Sequence, residues 1–276
     1  MPVVAGMFYP GDPNVLRSTV DRLLGAPRPS RGASPSVGLV VPHAGYPYSG
    51  RVAGATFRRA AEYGRPDVVL LLGASHSGLG PTLSLSGAGA WRTPLGDVPV
   101  DRTAVEALHA AGMRVYEPAF EREHSIEVEL PFLQVLWEDP VAIVPICVQR
   151  GGLDELTDAG DALARATAGR RTWVVASSDF THYEPDEVAR ERDRLALDAI
   201  RALDAARFYR TCQERGLSIC GVGAITTLLA LARGRGWMTS SLIAYETSGD
   251  STGDRASVVG YAGIVFAQGG TDPCEA

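Results

Sequence analysis

The chain has 276 residues, a formal net charge of −6 and a sequence pI near 5.4. This acidic balance argues against a general nucleic-acid or anionic-membrane surface, because either partner requires a basic patch that neutralises phosphates. No apolar run approaches the roughly 20 residues of a membrane span. The start, MPVVAGMFYPGDP, lacks the basic and apolar regions of a secretory signal, so we expect a cytoplasmic protein.

The first half of the chain alternates apolar runs with helical periodicity. Residues 37–42 predict a buried strand, residues 50–63 a helix, and residues 67–73 a second buried strand. Residues 81–100 contain SLSL and the turn-rich TPLGDV, which favour a short excursion of antiparallel strands. A helix over residues 101–112 follows. This order is typical of an α/β protein.

The second half continues the alternation. A helix is predicted after Ser125, which could cap it, because the apolar residues Ile126, Leu130, Leu133 and Leu136 recur at helical spacing. Further strands are predicted over residues 141–148, 172–180, 239–246 and 257–267. Further helices are predicted over residues 154–169, 185–203, 205–215 and 223–233. With no repeat or linker evident, we predict one domain over residues 1–268, an α/β/α sandwich with a central mixed sheet, and a frayed tail over residues 269–276.

Four of the five histidines lie in short glycine- or serine-rich segments that follow apolar runs. These are His43 in VPHAGYPYSG, His76 in GASHSG, His124 in REHSIEVELPF and His182 in SSDFTHY. In open α/β sheets, ligands bind at the carboxyl edge of the strands. We therefore expect the fold to bring these histidines together in one site.

Asp179 and His182 stand three residues apart just past a predicted strand. The carboxylate could fix the tautomer of the imidazole, or either group could reach a metal or a substrate proton. The alternative is that Asp179 only caps a turn. A serine triad is not expected, because Ser177 and Ser178 lack the G-x-S-x-G nucleophile elbow.

The four cysteines form no CxxC pair, so neither a disulfide framework nor a zinc ribbon is expected. Cys147, in the apolar run VAIVPICV, is predicted to be a small buried core residue. Cys220 precedes a small-residue turn and a predicted helix, whose partial positive charge would favour the thiolate. His43, His76 and Cys220 together would suit iron, copper or zinc, whereas a soft thiolate argues against magnesium and calcium.

Nine segments, in this order and nearly end to end, resemble the Memo family, whose bacterial and archaeal members are often named AmmeMemoRadiSam system protein B. The resemblance extends over residues 3–267 and rests on AGMFYPGDP, VPHAGYPYSG, GASHSG, WRTPLGDV, EHSIEVELPFLQ, SSDFTHY, CGVGAI, YETSGD and VGYAGIVF. It implies a fold similar to class III extradiol ring-cleaving dioxygenases, with an α/β sandwich and a histidine-lined pocket.

The resemblance also implies the roles of six residues. It assigns metal binding to His43, His76 and Cys220, and it places Asp179, His182 and His124 in the same pocket as candidate catalytic residues. The related dioxygenases hold non-haem Fe(II) with two histidines and a glutamate. A cysteine in the third position departs from that pattern and argues against ring cleavage, because a thiolate changes the iron potential and can itself be oxidised.

The leading hypothesis is an iron- or copper-dependent oxidoreductase of unknown substrate, with zinc as a less favoured metal. In this hypothesis His182, oriented by Asp179, moves the proton. The alternative is a non-catalytic protein that uses the same pocket to bind a metal, a small ligand or a peptide, and zinc-dependent hydrolysis is the third hypothesis. The family name further implies an AMMECR-type protein and a radical SAM enzyme as pathway partners.

Overall fold

The computed structural model describes residues 2–26, 36–137 and 139–269. Its strands are β1 (Val37–Val41), β2 (Val68–Ala74), β3 (Leu83–Leu85), β4 (Ala90–Thr93), β5 (Gly96–Pro99), β6 (Arg114–Val115), β7 (Ala142–Val148), β8 (Thr172–Ser177), β9 (His182–Glu184), β10 (Thr239–Thr247) and β11 (Val258–Ala267). Its α-helices are α1 (Pro13–Leu24), α2 (Tyr46–Ala61), α3 (Arg102–Ala110), α4 (Leu130–Leu136), α5 (Leu153–Ala166), α6 (Asp186–Arg201), α7 (Ala205–Glu214), α8 (Val222–Gly234) and α9 (Ser248–Thr252).

A mixed nine-stranded sheet forms the centre of the molecule. Eight strands lie in the order β10-β11-β1-β8-β2-β7-β3-β6, and β9 pairs with β11. The four central strands β1, β8, β2 and β7 are parallel, while β10 and β11 add antiparallel pairing at one side. Every residue of β1, β2 and β8 is buried, as expected for parallel strands covered on both faces. The carboxyl ends of these three strands therefore lie side by side.

Helices cover both faces of the sheet. Helices α1, α2 and α4 contact one another, and α2 packs on β1, β10 and β11. Helices α5, α6, α7 and α8 form the second layer, in which α8 packs on β8, β2 and β1. The predicted α/β/α sandwich with a mixed sheet is thus confirmed. Within the described ranges, no helix combines the length and the apolar character needed to cross a membrane.

Most predicted elements are present, with shifted ends. Helix α2 begins at Tyr46 rather than at residue 50, because Pro47 is accommodated in its first turn. Within the excursion over residues 81–100, β4 and β5 form an antiparallel hairpin, whereas β3 joins the main sheet beside β7. Helix α1 was not predicted, although Asp12 caps it by accepting from the backbone amides of Asn14 and Val15.

The segment after His124 differs from the prediction. A short 3₁₀ turn, Glu127–Glu129, precedes α4, and Ser125 does not cap either of them. The Ser125 hydroxyl instead donates to the carbonyl of Ala74, 2.9 Å away, and so ties this segment to the end of β2. The tail prediction falls almost entirely on residues 270–276, which lie outside the described residues.

Candidate metal centre

Three predicted site residues stand two positions beyond the ends of neighbouring strands. His43 follows β1, His76 follows β2 and Asp179 follows β8. Because β8 pairs in parallel with both β1 and β2, the three residues lie at one edge of the sheet. Cys220 reaches the same edge from the loop before α8. The predicted clustering is therefore present in the structure.

His43, His76 and Cys220 place one donor atom each within 4.8 Å of one another. The Nε2 atom of His43 lies 3.3 Å from the Cys220 sulfur, and the His43 and His76 ring centres are 5.2 Å apart. Metal–ligand bonds of about 2.0–2.3 Å place neighbouring ligand atoms roughly 3.3–3.8 Å apart in a tetrahedral site. The spacing of these side chains therefore fits a single metal ion after small shifts.

His43 is held from two sides. Its backbone amide donates to Asp179, 2.8 Å away, and its Nδ1 atom lies 2.8 Å from the Ser177 hydroxyl oxygen. Burial, together with the nearby His76 and His124, keeps the pKa of His43 well below its usual value. The imidazole is therefore neutral, which is the form that binds metals. Its Nε2 atom faces the candidate site.

His76 is oriented by Glu123, a residue that the sequence analysis did not identify. The Glu123 carboxylate accepts from the His76 backbone amide at 2.7 Å and from its Nδ1 atom at 2.9 Å. It also accepts from the amides of His124 and Ser125, each at 2.9 Å. Such a carboxylate–histidine pair fixes the tautomer that leaves Nε2 available to a metal. Glu123 begins the segment EHSIEVELPFLQ, but its contact with His76 could not be predicted from the sequence, because the two residues lie 47 positions apart.

Glu123 and His76 each stabilise the charged form of the other. Burial alone would raise the pKa of Glu123, but the hydrogen bond and charge of His76 outweigh it and bring the pKa to about 2. Burial likewise tends to lower the pKa of His76, yet Glu123 raises it overall. Glu123 could also form a ligand group with His76 and His124. Since its oxygens already accept four hydrogen bonds, we interpret Glu123 as the partner that orients His76.

Cys220 approaches the sheet edge through a tight contact. The Asp179 amide donates to the Cys220 sulfur, 3.1 Å away. A Cβ atom on Gly221 would lie only 2.4 Å from that of Ser178, so this approach requires glycine. Burial raises the pKa of the Cys220 thiol to about 12. The predicted preference for the thiolate is therefore wrong for the metal-free protein, because burial and the charge of Asp179 outweigh the hydrogen bonds that favour the ionised sulfur.

His124 completes a cluster of three imidazoles. Its ring stacks on that of His76 with centres 4.5 Å apart, and it lies 5.5 Å from the His43 ring in an edge-on arrangement. The ring of Phe8 contacts its other side. Burial and then the charge of His76 lower the pKa of His124 to about 4. This group is consequently a neutral base next to the candidate ligands.

Asp179 and His182 do not form the pair that the sequence suggested. The Nδ1 atom of His182 lies 2.9 Å from the carbonyl of Ser218, and its backbone amide donates to the Ser218 hydroxyl. Ser218 therefore orients this ring. Asp179 instead accepts from the amide of His43, so it caps the turn after the adjacent strand β1. Burial raises the pKa of Asp179 to about 6.

Known proteins resemble this chain over nearly its whole length. A family model described as Memo-like protein matches residues 1–265. A MEMO1 family protein of Methanopyrus kandleri is 40% identical over 279 residues, covering 97% of this chain and 99% of the relative. Similar relatives occur in Pyrobaculum aerophilum, at 38% identity with 96% and 98% coverage, and in Nitrosopumilus maritimus, at 35% identity with the same coverages. The family match therefore spans all the residues of the candidate site.

Proposed function

This chain belongs to the Memo-like family, and from that premise we propose that it is a redox protein whose His43, His76 and Cys220 bind iron or copper. The observation that carries the proposal is the donor cluster, with its atoms within 4.8 Å of one another. Both imidazoles use Nδ1 for hydrogen bonds to Ser177 and Glu123, which leaves Nε2 as the ligand atom. Two imidazoles with one thiolate suit these metals, and zinc is a less favoured occupant.

A bound iron or copper ion would supply open coordination positions and a change of oxidation state. The protein side chains supply the rest of the chemistry. His124 is a neutral imidazole beside the ligands and can accept a proton. Half-buried His182 has its Nδ1 atom at the Ser218 carbonyl, so its Nε2 atom is available for proton exchange with an incoming molecule. Asp179 positions His43 by accepting from its backbone amide.

Elemental analysis of protein purified without oxygen tests this proposal. We expect near-stoichiometric iron or copper in the wild type and its loss in His43→Ala and Cys220→Ser. Cys212→Ser is the matched control, because Cys212 is a buried cysteine on α7 outside the donor cluster. It should retain the metal. Circular dichroism of each variant separates loss of a ligand from loss of the fold.

Two other outcomes would point elsewhere. A wild-type protein that stays empty after anaerobic reloading with Fe(II) and Cu(I) would contradict the metal site. Bound metal without consumption of oxygen by the loaded protein, in the presence of phenolic and thiol substrates, would contradict the redox role. That second outcome would support the alternative, a non-catalytic protein that uses the same pocket for binding.

A further inference from the structure

A carboxylic side chain, Glu129, lies completely buried behind His43. It is 0% exposed and sits at the end of the 3₁₀ turn that precedes α4. Its Oε1 atom lies 2.9 Å from the Ser177 hydroxyl oxygen. Its Oε2 atom has no hydrogen-bond partner among the described residues. A carboxylate in this environment would be a buried charge without a compensating cation, which is strongly unfavourable.

The hydrogen atoms around Ser177 can be assigned by counting donors. The Ser177 oxygen lies 2.6 Å from the Ser125 carbonyl, 2.8 Å from His43 Nδ1 and 2.9 Å from Glu129 Oε1. A hydroxyl offers one hydrogen and two lone pairs. The carbonyl can only accept and makes the shortest contact, so it takes the hydroxyl hydrogen. Both remaining neighbours must then donate to Ser177.

This assignment fixes two protons. His43 carries its hydrogen on Nδ1, which leaves the Nε2 lone pair facing Cys220. Glu129 carries a hydrogen on Oε1 and is therefore a neutral carboxylic acid. If Glu129 were ionised, one hydroxyl hydrogen would have to serve both the carbonyl and the carboxylate, and one of two close oxygen–oxygen contacts would be repulsive.

We propose that Glu129 is a positioning residue which, as a neutral acid, donates to Ser177 and so holds the hydroxyl oxygen where it accepts from Nδ1 of His43, leaving Nε2 to the metal. Burial raises the pKa of Glu129 well above its usual range, and Asp179 adds to the increase, while the Ser177 hydrogen bond offsets only part of it. The part of the inference that concerns metal affinity rests on the proposed metal site. The protonation of Glu129 and the tautomer of His43 do not depend on that metal site.

The adjacent buried residue Glu127 provides a matched contrast. Its carboxyl group is also almost fully buried, but it accepts three hydrogen bonds, from the amides of Val3 and Val4 and from the Tyr9 hydroxyl. All three of these partners donate to Glu127, whereas Glu129 faces the Ser177 hydroxyl, whose hydrogen is already donated to the Ser125 carbonyl. Glu127→Gln therefore removes a buried carboxyl group without changing the chain from Glu129 through Ser177 to His43.

The first experiment uses the metal-free protein. Infrared difference spectra between the wild type and Glu129→Gln should show one carbonyl stretch of a protonated carboxyl group that only the wild type and Glu127→Gln possess. Nitrogen NMR of ¹⁵N-histidine-labelled protein should show His43 as a single Nδ1–H tautomer in the wild type and in Glu129→Gln, since the amide can still donate to Ser177. In Glu129→Met, which cannot donate, the Ser125 carbonyl still takes the hydroxyl hydrogen, so His43 should keep this tautomer. Its Nδ1 resonance should shift and broaden, because the hydroxyl oxygen that accepts from it is no longer held in place.

The second experiment measures zinc affinity by competition with a chelator. We expect Glu129→Met to weaken binding about tenfold and Glu129→Gln to stay close to the wild type, as is typical when the hydrogen-bond partner of a ligand is removed or replaced. A missing carboxyl band, or a His43 Nδ1 resonance in folded Glu129→Met identical to that of the wild type, would overturn the inference. If the wild type bound no metal, the proposed function would fail, while the infrared and NMR results would still decide the role of Glu129.

Discussion

Three of the four histidines of the site have different partners that fix their rings. Ser177 contacts Nδ1 of His43, Glu123 contacts Nδ1 of His76, and the Ser218 carbonyl contacts Nδ1 of His182. In all three cases Nδ1 makes the orienting hydrogen bond and Nε2 does not. Uniform use of Nδ1 for orientation is what a preorganised metal and proton-transfer site requires, because ring rotation would otherwise reduce metal affinity.

Replacing Glu123 by glutamine should weaken this arrangement. In Glu123→Gln an NH₂ group replaces one carboxylate oxygen and points at backbone N–H groups that donate to that oxygen in the wild type. At least one of these buried donors therefore loses its acceptor. We expect the free energy of unfolding to fall by about 1–3 kcal/mol and zinc affinity to fall about tenfold or more. Urea denaturation and chelator competition measure the two effects.

Glu121→Gln is the control for this prediction, because Glu121 is exposed two residues away. It should change neither quantity appreciably. Zinc binding by Glu123→Gln as tight as that of the wild type would show that Glu123 does not orient His76.

The three proposed ligands could be selected from the sequence, but the residues that orient them could not. His43, His76 and Cys220 stand in short motifs with small neighbours, and those motifs also carry the family resemblance. Glu123 and Glu129 also stand in a family segment, EHSIEVELPFLQ, but nothing in it indicates their partners, because their contacts join residues 47 and 48 positions apart. Hydrogen-bond partners of this kind are set by the fold and become visible only in three dimensions.

At the level of elements, the site depends on how closely the loop before α8 approaches the end of β8. Gly221 contacts Ser178, and the Gly221 amide donates to the Ser178 hydroxyl at 2.9 Å. The preceding residue, Cys220, is placed by the same contact. The position of the sulfur is thus determined by the packing of a loop on a strand end.

A methyl group at position 221 should displace this loop. In Gly221→Ala the new Cβ would lie 2.4 Å from the Cβ of Ser178, which is not a flexible chain end. We expect a loss of about 1–3 kcal/mol in the free energy of unfolding, typical of overpacking, and a clear loss of zinc affinity. Gly152→Ala is the control, because its added Cβ would meet no atom within 4 Å. Equal zinc affinities of the two variants would contradict the role assigned to the loop.

The elements themselves were predictable to different degrees. The buried parallel strands were visible as apolar runs, because both of their faces lie in the core. Helix α1 was missed even though Asp12 and Pro13 form a recognisable start. The cap assigned to Ser125 was wrong because its hydroxyl bonds to Ala74 in another element. A hydrogen bond to a residue in another element cannot be recognised from the residues that surround Ser125 in the sequence.

At the scale of the whole molecule, metal binding should stabilise the fold. A ligand at one hundred times its dissociation constant contributes about 2.7 kcal/mol, which corresponds to an increase in Tm of about 5 °C for a chain of this size. We expect this increase with zinc chloride in the wild type, and no comparable increase in Cys220→Ser. Differential scanning calorimetry of the metal-free and loaded proteins measures it.

The increase should depend on pH in a defined direction. The pKa of the Cys220 thiol is about 12, so the thiol is protonated at neutral pH and must release its proton when it binds metal. Affinity should therefore rise by up to about tenfold per pH unit, and the increase in Tm at fixed zinc should be larger at about pH 8 than at about pH 6. An equal increase at both values would argue against the thiol as a ligand.

The strand order also determines when the site can form during folding. Strand β8 lies between β1 and β2 in the sheet, although it follows both of them in the chain. His43 and His76 therefore reach their final separation only after the later strand has inserted between their own strands. Cys220, 177 residues after His43, closes the longest loop of the cluster. We therefore expect capture of the proposed metal to be a late event on the folding pathway, one that would report completion of the central sheet.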